Sequence, residues 1–202
     1  GSDSGFLKEQ SAEKAEDFTP IFIEDRFSKG TVIGSSGITA ELKRIFSSTL
    51  EAKEKGLLAK DFPVKFLGCN LCDGWGCLVC NQDQEIHEGI KVKGKSICEW
   101  SQESIQDFYK AFYNIPKLKK PLSPFIELGL GYLPLCRGLS SLSSTEAIYV
   151  QLATMLNRAS WVGVKWELVA DGVDLKLPLY KKLHTALNSR ELSGLAFYIK
   201  EH

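Results

Sequence analysis

Four cysteines fall within twelve residues, in the run CNLCDGWGCLVC from Cys69 to Cys80. Two Cys-x-x-Cys pairs are separated only by Asp73, Gly74, Trp75 and Gly76. A Cys-x-x-Cys pair is the smallest backbone unit that aims two sulfurs at one metal, and two pairs complete a tetrahedral site. The intervening glycines permit the sharp turns of such a wrap. Cys69, Cys72, Cys77 and Cys80 are therefore expected to hold a structural zinc. Four free thiols, two strained disulfides and an iron–sulfur cluster are the alternatives. The spacing differs from the usual cluster patterns, and nothing else in the chain suits a disulfide-rich secreted domain. Cys98 and Cys136 stand apart in apolar surroundings, as buried inert thiols do.

The gap between the pairs holds a turn and no long hairpin. No positively charged n-region with an apolar h-region opens the given sequence, and no stretch in it approaches a membrane span. Its 202 residues allow one or two domains with a proper core. Lys and Arg number 25, as do Asp and Glu, so there is no general electrostatic footprint for nucleic acid. Gly1 and Ser2 resemble an expression scar, and the chain stops at Glu201 and His202 straight after an apolar run. A segment of a larger protein is expected.

Residues 1–18 are polar and read as a linker. Pro20 to Glu24 reads as a strand, Ser28 to Gly37 as a loop. Thr39 opens a helix with Leu42, Ile45, Phe46 and Leu50 on one face, stopped by Gly56. Ile90 to Ile97 has strand character on either side of Gly94. Ser101 is read as the N-cap of a helix through Tyr113, with Glu103 in its first turn. Asn114, Ile115 and Pro116 end it, and Pro121 to Leu135 forms a compact apolar stretch. Ser143 and Glu146 make a Ser-x-x-Glu capping box for a helix through Asn157, with Val150, Leu152, Ala153 and Leu156 inward. Trp161 to Val169 and Leu195 to Ile199 read as strands, and Pro178 opens a helix between them. Strands alternating with helices point to α/β.

From Glu51 onward the order of motifs resembles the UvrA family, the damage-sensing subunits of bacterial excinuclease ABC. FPVKFLGCNLCDGWG resembles the approach to that family's zinc module, and VKGKSI resembles its YKGKNI. FYNIPKLKKPLSPFIELGLGYLPL resembles the stretch before the ABC signature, and SSLSSTEAIYVQLATML falls where TLSGGEAQRVKLA would stand. The resemblance implies the C-terminal part of an ABC-type nucleotide-binding domain with a small Cys₄ zinc module. Residues 19–100 would form an insertion region, with the shortened zinc module at 69–80. Residues 101–202 would carry the signature and Walker B.

The departures point to degeneration. The hairpin that grips DNA in the family is missing between the cysteine pairs. The signature Leu-Ser-Gly-Gly-Glu becomes Leu142, Ser143, Ser144, Thr145 and Glu146, so both glycines that let backbone amides approach phosphate are lost. The Walker B register ending Leu-Asp-Glu-Pro falls on Lys165 to Leu168. It puts Trp166 at the magnesium carboxylate and Glu167 at the general base. Glu201-His202 resembles the switch histidine, and Asp25 stands at the Q-loop glutamine. No phosphate-cradling Gly-x-x-x-x-Gly-Lys loop occurs; the opening GSDSGF reads as a ruined remnant of one or a tag scar.

The resemblance implies a setting in nucleotide excision repair in the cytoplasm, with ATP and magnesium as family cofactors. Its implied partners are the rest of a parent chain, a dimer partner and a UvrB-like protein. This segment is expected to be catalytically inactive and a poor binder of DNA, as a scaffold or interaction region. A working ATPase half is the alternative, and a free-standing zinc interaction module a second. Plainer roles compete at each position: Ser143 and Glu146 as a helix cap alone, Glu167 as a strand carboxylate, and His87 and His184 as surface residues. A DnaJ-type cysteine repeat also fits Cys69 to Gly76, but only one copy is present.

Overall fold

The computed structural model describes residues 18–23, 29–62, 89–157, 165–170 and 197–201. The cysteine run, Asp25, His87, Pro178, His184 and His202 lie outside these residues. The chain divides into two units, one made from residues 1–24 with 158–202 and the other from 25–157.

The first unit contains three strands, β1 (Phe18–Ile23), β2 (Lys165–Ala170) and β3 (Phe197–Glu201). They pair in the order β1-β2-β3, all parallel. All three lie where β-branched and aromatic runs placed strands. Parallel neighbours cannot be joined by a tight turn and need a long crossover. Between β1 and β2 the connection contains the whole second unit. At the carboxyl ends the rows align Ile23 with Ala170 and Ala170 with Glu201.

The second unit is helical in its described residues. Helix α1 (Val32–Ser36) interrupts the expected Ser28–Gly37 loop. Thr31 caps it, its hydroxyl oxygen accepting the Gly34 N–H at 3.3 Å. Val32 and Ile33 are wholly buried, and their burial outweighs the glycine and serine around them. Helix α2 (Thr39–Ser47) sets Leu42 and Phe46 inward as expected, but it stops before Gly56. The Ser48 and Thr49 hydroxyls donate to the Ile45 and Phe46 carbonyls at 2.7 and 2.9 Å. Such bonds compete with the helix ladder. Thr49 then caps α3 (Leu50–Glu54). Ala52 turns inward, and Leu50, expected on the buried face, is 67% exposed. Gly56 ends this helix in the left-handed region at φ 67°.

Around Gly94, Val92 and Lys95 form a single antiparallel bridge. Lys93 and Gly94 between them both have positive φ, 50° and 82°, the signature of a primed two-residue hairpin turn. The helix expected to start at Ser101 starts earlier and is split. Ser96 and Glu99 form a reciprocal capping box for α4 (Ile97–Gln102). Ser104 caps α5 (Ile105–Ala111). Ser101 is buried inside α4 and donates to the Cys98 carbonyl at 2.6 Å. Glu103 lies between the two helices and pairs with Lys95. Of these serines, Ser96 and Ser104 have an acid three residues on and Ser101 does not.

Helix α6 (Pro116–Glu127) begins five residues before the apolar stretch that was expected to open at Pro121. Pro116 takes the first position, where its missing N–H costs nothing. Pro121 and Pro124 sit inside the helix. The penalty of an internal proline is offset by burial of Leu118, Leu122 and Phe125 on one face. Helix α7 (Ser144–Asn157) follows the expectation closely, with Val150, Leu152, Ala153 and Leu156 buried. It packs on α6 and α1. The core also holds an aromatic triad: Trp100 lies 5.7 Å from Phe108 and 4.9 Å from Phe112, and the two phenylalanines stack at 4.5 Å. Cys98 and Cys136 are buried, as expected. Among the described residues, no helix is long and apolar enough to cross a membrane.

Candidate functional site at the entrance to helix α7

The approach to α7 is a threaded segment held on both sides by backbone. On one side, Ile105 and Gln106 donate to Leu133 and Gly131, while Leu135 and Cys136 donate to Glu103 and Ser101, at 2.7–3.0 Å. On the other side Val32 and Ile33 donate to Arg137 and Leu135, and Leu139 donates to Gly30. This clamp fixes Tyr132 and Arg137 beside the start of α7.

The capping box read from the sequence is formed. The Ser143 N–H donates to Glu146 Oε2 at 2.9 Å, and the Glu146 N–H donates to Ser143 Oγ at 3.2 Å. Glu146 Oε1 also accepts the Tyr132 hydroxyl at 2.6 Å. Arg137 donates through Nη2 to the Ser141 carbonyl at 3.0 Å, and its Nε is buried without a hydrogen-bond partner. Partial burial works against the Glu146 charge. The bonds from Tyr132 and Ser143, with the field of Arg137, outweigh it and hold this carboxyl below its ordinary range. Tyr132 is pushed up to about 12 by desolvation and by donating to the carboxylate. Ser143, Ser144 and Thr145 are exposed. The positive end of the helix dipole therefore faces solvent through hydroxyl side chains, with a carboxylate already in its first turn. Tyr132 and Arg137 escaped the sequence reading: Tyr132 is fourteen residues from its partner, beyond any local spacing rule.

Trp166 and Glu167 are the second and third residues of β2. Trp166 is in register with Thr19 and Phe197, Glu167 with Pro20 and Tyr198. Ligands of open parallel sheets bind beyond the carboxyl ends of the strands. That end of β2 is Ala170, so both residues are set back from it. The entrance to α7 belongs to one unit and β2 to the other. Among the described residues, no group of His, Cys, Asp and Glu could hold a metal.

The three parallel strands, interrupted in sequence by a helical unit, are those of an α/β sheet, and likeness to a solved structure supports an ABC-type domain. The chain superposes on the crystal structure of UvrA2 from Deinococcus radiodurans with a TM-score of 0.74, over 92% of this chain and 25% of that one, at 21% identity. It is 30% identical to UvrABC system protein A of Staphylococcus aureus (strain COL) over 186 residues, 83% of this chain. Against the Bacillus subtilis (strain 168) protein of the same name it is 31% identical over 144 residues, 62% of the chain. The chain is a UvrA-like segment of the ABC ATPase superfamily. It spans about a fifth of the length of the relatives it matches, 20% for the Staphylococcus aureus protein. No family model matches the chain.

Proposed function

We propose that this chain is a degenerate ABC-type segment of a UvrA-like DNA-repair protein, acting as a non-catalytic scaffold or interaction region in nucleotide excision repair. The observation that carries the reading is the entrance to α7. In the signature position two glycines would bare backbone amides to phosphate. Here Ser144 and Thr145 place side chains there, while Ser143 and Glu146 keep the signature's residue types and close the helix cap. Losing one preorganised donor commonly costs about 10²–10³ in rate.

A second reading, a working ATPase half, is favoured by the end of β2. Asp171 directly follows Ala170 in the sequence. The observed strand end supports a Walker B register of Ala170, Asp171, Gly172 and Val173 over Trp166 and Glu167. In that register the magnesium carboxylate is kept and the general base is lost. Arg137, with its unsatisfied Nε, adds a positive charge beside α7. The loss of the base keeps the non-catalytic reading ahead.

The experiment is phosphate release by the full chain, alone and mixed with an intact UvrA-type half that supplies the phosphate-cradling loop. The expected rate is that of the partner alone. Stimulated turnover abolished by Asp171→Asn would establish the second reading and overturn the first.

Four thiols at the spacing of Cys69, Cys72, Cys77 and Cys80 fit zinc by donor chemistry. We propose that they hold one structural ion; its role would be to fold that segment. A cytoplasmic setting, with a UvrB-like protein and a dimer partner, completes the proposal by family likeness.

A further inference from the structure

Residues 101–106 have two ways to bond their backbone. In the form the fold adopts, Glu103 and Ser104 are both extended, at φ −70°, ψ 154° and φ −63°, ψ 151°. This short stretch lies antiparallel to the threaded segment, with Ser104 opposite Pro134. The Ser101 and Glu103 carbonyls accept the Cys136 and Leu135 N–H groups at 2.7 and 3.0 Å, and Ile105 and Gln106 donate to Leu133 and Gly131 at 2.9 and 2.8 Å. In a continuous helix each N–H would instead reach the carbonyl four residues back. Ile105 would take Ser101, and Asp107 would take Glu103. The Ile105 N–H cannot serve both forms, and residues 103 and 104 cannot be extended and helical at once. The sequence leans to the continuous form, since residues 101–113 carry the pattern of one helix.

Two devices hold the split. The Ser104 hydroxyl oxygen accepts the Asp107 N–H at 3.1 Å and so restarts the helix as α5. Lys95, arriving from the Lys93–Gly94 turn, pairs with Glu103. Its ammonium lies 5.0 Å from the Trp100 ring centre, and the Trp100 Nε1–H donates to the Val92 carbonyl at 2.7 Å. The field of Lys95 also reaches Glu99, whose carboxylate is held by the Ser96 N–H. The turn therefore grips α4 and the extended Glu103 together. The Lys95 and Glu103 side chains are 39% and 29% exposed, so dissolved ions reach the pair and screen it.

We propose that the α4–α5 junction is a two-state switch. The Lys95–Glu103 pair latches the split form. Its release joins α4 and α5 into one helix and frees the segment that carries Tyr132 and Arg137 to the entrance of α7. The inference does not rest on the nucleotide reading.

The test is NMR spectroscopy of the full chain. The Cα shifts of Glu103 and Ser104 separate extended from helical backbone, and amide exchange of Leu135 and Cys136 reports the clamp. Lys95→Met keeps the stem over Trp100, and Glu103→Gln keeps the shape. Each should move both shifts toward helix and speed the two exchange rates about two- to fivefold, the size of a part-exposed pair. Raising salt from about 0.05 M to about 0.5 M should move the parent protein the same way. Ser104→Pro should lock the split form. Its φ of −63° and the extended residue before it suit proline, and the bridge bonds run through Glu103 and Ile105. Added to Lys95→Met, it should restore the extended shift at Glu103 and slow the exchange again. Lost packing alone would speed exchange with no gain of helix. Shifts that stay extended in both charge variants, exchange that stays fast with Ser104→Pro added, or a parent protein indifferent to salt would each overturn the proposal.

Discussion

Glu146 is asked to do two things at once: it closes the helix cap and it takes the Tyr132 hydroxyl. Removing the cap from the serine side tests the first role. Ser143→Ala should lower the stability of the helical unit by about 1 kcal/mol, read from urea unfolding. The second role has a pH signature. Because the Glu146 pKa is lowered in the fold, its contribution is present above the unfolded carboxylate range and fades as pH falls through the depressed value. Tyr132, raised to about 12, contributes below the ordinary tyrosine range and loses this as pH rises toward 12. Tyr132 is 61% exposed, so water screens the bond, and Tyr132→Phe should cost no more than about 0.5 kcal/mol between these limits, with the gap closing in acid. A gap that persists unchanged at low pH would show that the bond is not to the ionised carboxylate. Cys98 gives a chemical check on burial. Desolvation, then the Glu99 charge, pushes its thiol up to about 11, so thiolate is scarce at pH 8. Peptide mapping after brief iodoacetamide treatment of the native protein should find Cys98 unmodified.

Elements were legible where local chemistry and burial agreed. Helix α7 has a Ser-x-x-Glu start and an inward apolar face, and it was read to its last residue. Ser101 has no acid three residues on and does not cap; Ser96 and Ser104 have one, and they cap the two helices that form. The break after α2 is local: Ser48 and Thr49 hydroxyls bond to carbonyls three residues back. The helix across Pro121 and Pro124 is a tertiary outcome, held together by buried Leu118, Leu122 and Phe125. The Val92–Lys95 turn gives a clean test of backbone alone. An added Cβ at Gly94 meets nothing within 4 Å, yet φ is +82°. Gly94→Ala should therefore destabilise by about 1 kcal/mol or more, measured by thermal unfolding. A neutral outcome would mean that the turn relaxes to another type.

At the scale of the whole molecule, composition is silent on order along the chain. Equal counts of acid and base do not show that described residues 29–62 hold six Lys and Arg against four Asp and Glu, and 89–157 eight against five. We propose the Walker B register from the strand's carboxyl end at Ala170 in preference to the match of letters at Lys165 to Leu168. The α/β class was legible because three apolar runs at the two ends of the chain read as strands; their parallel order was not, since it depends on pairing across the long insertion. The zinc expectation belongs to this scale too, because a structural ion couples a segment's folding to the solution around it. Each thiol must lose its proton to bind, so affinity falls in acid. Protein prepared without added metal should carry about one zinc per chain by elemental analysis, as four thiolates complete one tetrahedral site. Replacing Cys72 and Cys77 by serine should abolish it, while the buried Cys98→Ser variant keeps it. A strong chelator at pH 6 should strip the ion faster than at pH 8 and lower the melting temperature of the parent protein but not of the double variant. Less than a tenth of an equivalent of zinc, with all four thiols open to titration, would exclude the site.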